Sequence, residues 1–363
     1  MMSLGFGNLF WGFATSLYSA MLCRFLFMGA LNGWATVMGP MCLEVGGEAR
    51  QANVFAQILG WGTAAFALAP AVGAFVYGTF GMRFPALFPG IIGFIIGMTG
   101  AVTVHLWLPD MRKSDDKAAN AASSHAQQEA SVWQALSTRP LPLITLLRGL
   151  HGMVAFAVLE SNPLFFIGSE DAGGLGMPKP SVGIVLAGSV VILWAFATFA
   201  QAKLVNNIGF RRSCYLGGLF SGCAVASMPF VGAWPPTRLP LIIIALAVHL
   251  SAIGVAQAGI YGLCNVAVAE YAPIKGTLNG IVTTFEAFAK AMGPATASPL
   301  IAFALSISAT RTLYLCLGTF IAGTLLLGWY LPTKIEKRVV PAATPVVAVP
   351  PSRELEMKAA EAT

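Results

Sequence analysis

Charge is the scarcest commodity in this sequence: only 10% of its 363 residues are Asp, Glu, Lys or Arg. Water-soluble domains carry about a quarter, so a fold of this size has too few charges to cover itself in water. Catalytic constellations are missing as well. There is no His-Glu-x-x-His, no Gly-x-Ser-x-Gly, no Walker loop and no aspartate in the apolar segments for an intramembrane protease. These absences speak against an enzyme and against a nucleotide-driven pump within this chain. The six cysteines lie in or beside apolar segments and form no Cys-x-x-Cys pair, so neither a zinc site nor a disulfide framework is indicated. No metal and no cofactor is expected. The net charge of +6 comes from Lys and Arg scattered between apolar runs, with no basic stripe and interleaved aromatics, so nucleic acid is not an expected partner.

What is present is apolar. Hydrophobic residues make up 56% of the chain and the mean hydropathy is +0.74. The fitting solvent is lipid, where each helix needs roughly 20 apolar residues to cross. The 39 glycines suit helices that pack closely without a hydrophobic drive between them. Ten apolar segments can be traced, at about 2–16, 18–38, 55–77, 85–106, 142–166, 182–205, 213–231, 239–268, 281–305 and 313–331. The expectation is an all-α integral membrane bundle with the lipid membrane as its surroundings and no obligate protein partner evident.

One long hydrophilic break, from Pro109 to Pro140, divides the helices four and six. The expected organisation is an N-terminal helical half at 1–107, a central loop at 108–140, a C-terminal half at 141–331 and a disordered tail at 332–363. Within the break, Ser131 to Thr138 can form a short surface helix. Placing the break and the tail in the cytoplasm puts Arg50, Arg139, Lys203, Arg211, Arg212, Lys275 and Lys337 on that side. The opposite side then keeps only Arg83, Lys179, Arg238 and Arg311, so the positive-inside rule favours this orientation.

A pseudo-repeat crosses the break. Glu44, Arg50 and then Ala69-Pro70-Ala71-Val72-Gly73 sit in one half; Glu270, Lys275 and then Gly293-Pro294-Ala295-Thr296-Ala297 sit in the other. In both, an acid and a base close a turn and the next helix carries a small-Pro-x-x-small element.

Ionisable groups within the membrane are costly and therefore informative. Arg24 opens Arg24-x-x-x-x-Gly29-x-x-Asn32-Gly33; it is either a charge on a transport pathway or proton relay, or a packing arginine bonded to a helix-end carbonyl. Glu286 and Lys290 stand four residues apart, so they either neutralise each other or separate when Glu286 exchanges a proton. Glu160 has no partner one turn away, and Arg148 lies about 120° round the same helix. It suits a protonation switch, or is a hydrated carboxyl near the outer surface. Its context, Glu160-Ser161-Asn162-Pro163, favours a break in the helix. Arg148, His151 and His249 complete the set. His249, Gln257, Tyr261 and Asn265 follow an i, i+4 row that drifts about 40° per step. Such a polar stripe either faces a wet cavity or makes interhelical hydrogen bonds.

In this order the features resemble the major facilitator superfamily. The Arg24 to Gly33 element is similar to that family's fourth helix. Ala65-x-x-x-Ala69-Pro70-x-x-Gly73-Ala74 is similar to its fifth-helix antiporter motif, with alanines at several glycine positions. Asn207-Ile208-Gly209-Phe210-Arg211-Arg212 resembles the second-half loop motif without its aspartate. Within the superfamily the chain resembles the zinc-induced-facilitator-like branch. The residues that carry this are Glu160 to Leu164, Gly173-Gly174-Leu175-Gly176, Gly276-Thr277-Leu278-Asn279-Gly280 and Ala291-Met292-Gly293-Pro294.

The resemblance implies proton-coupled antiport of a small organic solute, often an organic acid or metal-chelating compound, by alternating access across a vacuolar or plasma membrane. Small organic solutes and protons are then the expected partners. It also implies twelve helices, with this chain starting inside the third, so two N-terminal helices are expected to be missing. The alternative is a non-transporting truncated paralogue acting as a membrane scaffold or sensor, which the degenerate motifs support.

Overall fold

The computed structural model describes residues 2–23, 26–27, 76, 83–107, 132–231, 238–271 and 274–331. Every regular element among them is helical. The expected segment at 55–77, apart from Val76, most of that at 18–38 and the tail lie outside the described residues. So do Arg24, Gly29, Asn32, Gly33, Pro70 and Gly73.

The helices are α1 (Met2–Gly12), α2 (Leu17–Cys23), α3 (Leu87–Trp107), α4 (Val132–Ser137), α5 (Leu141–Ile167) and α6 (Lys179–Phe196). A π-helical turn at Ala197–Gln201 carries α6 into α7 (Ala202–Ile208). Then follow α8 (Phe210–Val231), α9 (Arg238–Ala269), α10 (Lys275–Ser306) and α11 (Thr310–Leu326), which ends in a 3₁₀ turn at Leu327–Tyr330. Six of the described helical stretches are long and apolar enough to cross a membrane: 87–107, 141–167, 180–208, 210–231, 238–269 and 310–330. Helix α10 has the length, at 32 residues, but its charges and small polar residues dilute its apolar character.

Two expectations shift. The first apolar segment, expected to reach residue 16, is helical only to Gly12, and Phe13 and Ala14 close a turn back onto Phe10 and Trp11. The expected break at Pro163 does not occur: α5 runs on to Ile167. Proline removes one N–H and crowds the preceding turn. Here it lies near the helix end, where Phe165 stacks on Tyr314 at 4.5 Å and the Tyr314 hydroxyl donates to Asn162 Oδ1 at 3.0 Å. That packing holds the last turn in register.

Helix α3 packs on α1; α5 packs most closely on α10, and α8 lies between α9 and α11. The close pairs use backbone in place of side chains, as expected where lipid tails compete for every apolar group. A Cβ at Gly318 would sit 2.5 Å from the Gly222 carbonyl oxygen, and one at Gly222 would crowd the Gly318 carbonyl likewise. The crossing of α8 and α11 therefore depends on glycine at both positions. The outer faces are oily: Ile184, Val191, Phe199, Phe220, Ile244 and Phe303 all stand exposed. In water such a surface would aggregate; in a bilayer it is the solvated face.

Inside, apolar side chains form two clusters at different levels. One holds Leu141, Ile144, Leu147, Leu263, Leu278 and Val282. The other holds Val154, Phe165, Ile242, Leu246, Ile301 and Tyr314. Along α5 and α10, Arg148, Glu286 and Lys290 fall in the gap between them. Replacing Gly222 by Val is expected to cost about 1–3 kcal/mol by overpacking. Thermal unfolding in detergent should show a lower midpoint for Gly222→Val, whereas the same change at Gly183, which has open space around it, should leave the midpoint nearly unchanged.

Candidate functional site

Between the two apolar levels, three helices bring their polar side chains to one carboxylate. Glu286 on α10 is buried. Its Oε2 receives Arg148 Nε from α5 at 2.5 Å, and its Oε1 receives Lys290 Nζ at 2.6 Å from one turn along its own helix. The Tyr261 hydroxyl on α9 also donates to Oε1 at 2.5 Å, and Gln257 Nε2 donates to that hydroxyl at 3.1 Å. Each contact on the carboxylate is charge-assisted, the stronger class of hydrogen bond.

The guanidinium is held on all sides. Arg148 Nη2 donates to Thr283 Oγ1 at 3.3 Å and Nη1 reaches Cys264 Sγ at 3.6 Å. Its Cζ lies 4.2 Å from the Tyr261 ring centroid, close enough for a cation–π contact. Lys290 Nζ lies 5.6 Å from the Phe156 ring centroid, and its side chain keeps 30% exposure.

Room for this convergence comes from α5. A Cβ on Gly152 would sit 3.0 Å from Lys290 Cγ and 3.2 Å from Glu286 Cγ, so the glycine lets the acidic and basic stems lie against the helix. A turn beyond, Gly293 lies against the backbone of Met153 on α5 and is buried. Pro294, beside it, is half-buried within the same helix.

The remaining site candidates divide. His151, one turn from Arg148, is buried, and its Nδ1 has no hydrogen-bond partner among the described residues. The polar row of α9 fans out over two neighbours, as its drift of about 40° per step allows. Gln257 and Tyr261 meet the carboxylate, but His249 Nδ1 pairs with Ser221 Oγ on α8 at 2.9 Å. Three steps of about 40° separate His249 from Tyr261, enough to turn it toward a different neighbour. Asn265 is buried, with its Nδ2 unpartnered among the described residues. Glu160 is exposed on α5, away from the cluster. Among the described residues no group of His, Cys, Asp and Glu is arranged to hold a metal ion.

Sequence reading missed the Arg148–Glu286 bridge, whose partners lie 138 residues apart. The signal was charge supply: Arg148 needs a buried counter-ion, and Glu286 is the only acid on α10. Thr283, Cys264 and Phe156 carried no local signal.

The geometry is a bundle of apolar helices around a buried charge cluster, and sequence comparison supplies its family. The family model described as Major Facilitator Superfamily matches residues 1–294. The chain belongs to that superfamily and is a multi-pass membrane protein of a transporter family. It is 22% identical over 349 residues to the efflux pump azaK of Aspergillus niger, covering 92% of this chain and 72% of the relative. It is also 22% identical over 325 residues to a protein of Arabidopsis thaliana named "Probable peptide/nitrate transporter", covering 82% of this chain and 66% of the relative.

The geometry ranks the charged residues by what each leaves behind. Removing Glu286 (Glu286→Leu) strands the buried Arg148 and the half-buried Lys290 and should cost about 3–5 kcal/mol. Lys290→Met leaves a one-to-one pair and should cost distinctly less. Thermal unfolding of both variants in detergent checks the order.

Proposed function

We propose that this chain is a proton-coupled secondary transporter that moves a small organic solute by alternating access. The observation that carries the reading is Glu286, a buried carboxylate bridging α5, α9 and α10 through Arg148, Tyr261 and Lys290. A proton taken up by Glu286 weakens all three ties at once. A group whose charge state decides whether three helices are clamped is a two-state element that a proton and a solute can both bias. Arg148, His151, Gln257, Tyr261 and Lys290 are the accompanying pathway residues. Gly293 supplies the close contact on which α10 moves against α5.

Exchange of solute for protons is the lead reading, in line with the antiporter-like elements of the sequence and with the efflux activity named for one relative. A second reading, co-transport of solute and proton, is favoured by the two cations that share one carboxylate, since protonating Glu286 makes the site more receptive to a negative solute. In architecture we propose ten membrane segments, four before the central loop and six after it. The loop and the C-terminal tail face the cytoplasm, and the membrane is vacuolar or plasma membrane.

Purified protein in vesicles loaded with a pH-sensitive dye tests the reading. Organic acids, small peptides and drug-like amines are added outside one at a time. Under exchange, an entering solute alkalinises the lumen; under co-transport it acidifies it. Glu286→Gln should reduce either response at least tenfold. A wild-type protein that moves neither solute nor protons across the whole panel would refute transport.

A further inference from the structure

The membrane face at which α5 begins carries a charge that the described bundle does not balance. Successive spans alternate in direction, so the starts of α5, α8 and α10 share this face with the ends of α7, α9 and α11. Among the described residues, Arg139, Lys203, Arg211, Arg212 and Lys275 stand there against a single carboxylate, Glu270. No described carboxylate forms an ion pair with Lys203, Arg211 or Arg212. Exposed aromatic side chains rim the same face: Trp133, Trp329 and Tyr330. Such rings settle at the headgroup level of a bilayer.

Three of the five cations flank one corner. Gly209, at φ 85°, lets α8 start one residue after α7 ends, with Lys203 on one side of the bend and Arg211 and Arg212 on the other. Arg211 is built into the corner. Its Nη2 donates to the Trp329 carbonyl oxygen, and its Cζ lies 5.4 Å from the Trp329 ring centroid. Tyr215, one turn along α8, packs its ring 5.3 Å from the same indole. The guanidinium is thus held in place, yet the acceptor it holds is neutral. Its Nε is buried with no partner among the described residues. Arg212 and Lys203 are exposed. Lys203 sits about 8 Å short of the end of α7, a depth from which a lysine reaches the headgroups along its own stem. The face of α8 that starts at Arg212 continues, seven and eleven residues on, through exposed Leu219 and Cys223. Beyond the cation it is oily.

We propose that this corner holds an anionic phospholipid, its phosphate received by Arg211, Arg212 and Lys203 and its acyl chains lying along the Leu219 face of α8. A lipid fits where a soluble anion does not, because cation and apolar face run on from one another. The unbalanced cations select an anionic headgroup over a zwitterionic one, whose own ammonium they repel. In the orientation proposed above the corner lies in the cytoplasmic leaflet, where anionic lipids are found. The bound lipid steadies the first turn of α8 against the turn after α11, the joint that Arg211 already spans. Nothing in this inference needs the chain to transport, and the transport reading stands without it.

Thermal unfolding of the full chain in detergent tests it, with dioctanoyl phosphatidylglycerol, dioctanoyl phosphatidylcholine, dioctanoylglycerol and glycerol 1-phosphate added one at a time. The first supplies anion and chains together; the others neutralise the headgroup, remove the phosphate or remove the chains. Only phosphatidylglycerol should raise the midpoint saturably. The double change Lys203→Gln with Arg212→Gln should weaken its apparent affinity about tenfold or more, and Lys203→Arg with Arg212→Lys should largely keep it. Arg211 is left in place because it also holds Trp329. Lys275→Gln removes a charge from the same face but not from this corner, and should bind the lipid like wild type. The proposal is overturned if phosphatidylcholine or glycerol 1-phosphate matches phosphatidylglycerol, or if the double Gln variant binds like wild type. It is equally overturned if Lys275→Gln weakens binding as much, since the charge of the whole face would then be at work. A rival occupant lies in the chain itself, where Glu336 follows the last described turn. A wild-type chain blind to phosphatidylglycerol that responds only after Glu336→Gln would give the corner to that carboxylate and overturn the lipid.

Discussion

A single carboxylate organises the bundle's interior. Apolar helices in lipid have little reason to prefer one neighbour over another, because a leucine gains as much from an acyl chain as from a second leucine. Specific pairing has to come from contacts that lipid cannot imitate. Glu286 supplies the strongest of these, binding Arg148 from α5 and Tyr261 from α9 in a medium that offers neither partner any water. The glycine contacts of Gly152 and Gly293 follow from it, since the short ion pair requires α5 and α10 to approach backbone to backbone. Even the modest hydropathy of α10 becomes intelligible. A helix packed along one face on α5 and tied there by charge can carry, on that face, residues that a lipid-facing face cannot.

Much of this fold was legible in the sequence because lipid imposes simple rules. Length and apolarity located α3, α5, α8, α9 and α11 to within a few residues. The short helix at Val132–Ser137 was anticipated from its place before Pro140. Proline misled at Pro163 because its cost is local, whereas the Phe165–Tyr314 stack that offsets it comes from a helix nearly 150 residues on. The site was legible as a list but not as a constellation. The spacing of Glu286 and Lys290 is a helix property and could be read directly. The Arg148–Glu286 bridge depends on how two helices are rotated, which composition does not encode. His249 shows the same limit: the drift of its row was readable, but not that it would bring His249 to Ser221 on α8.

The two apolar clusters above and below the charges have complementary parts. They exclude water from either side, and so raise the strength of every electrostatic contact between them. The same exclusion makes a rearrangement of charge at that level an all-or-none matter, because a half-broken ion pair finds no solvent to complete it. Packed interiors switch between discrete arrangements for this reason.

The loop that follows α5 has a mechanical consequence. Its Gly173 and Gly176 adopt positive φ, and Leu175 and Met177 turn back to bond Phe165 and Phe166 of α5. Arg238 at the start of α9 grips both Glu170 and the Leu175 carbonyl, while Ser308 and Thr310 beside α11 hold the carbonyls of Asp171 and Ala172. One end of α5 is thus fastened to two other helices, and any tilt of α5 would turn about that end. Arg148 lies 19 residues from it, a lever arm of about 28 Å. A tilt of about 3° there would displace the guanidinium by about 1.5 Å, enough to part it from a carboxylate held at 2.5 Å, while the fastened end stays in place.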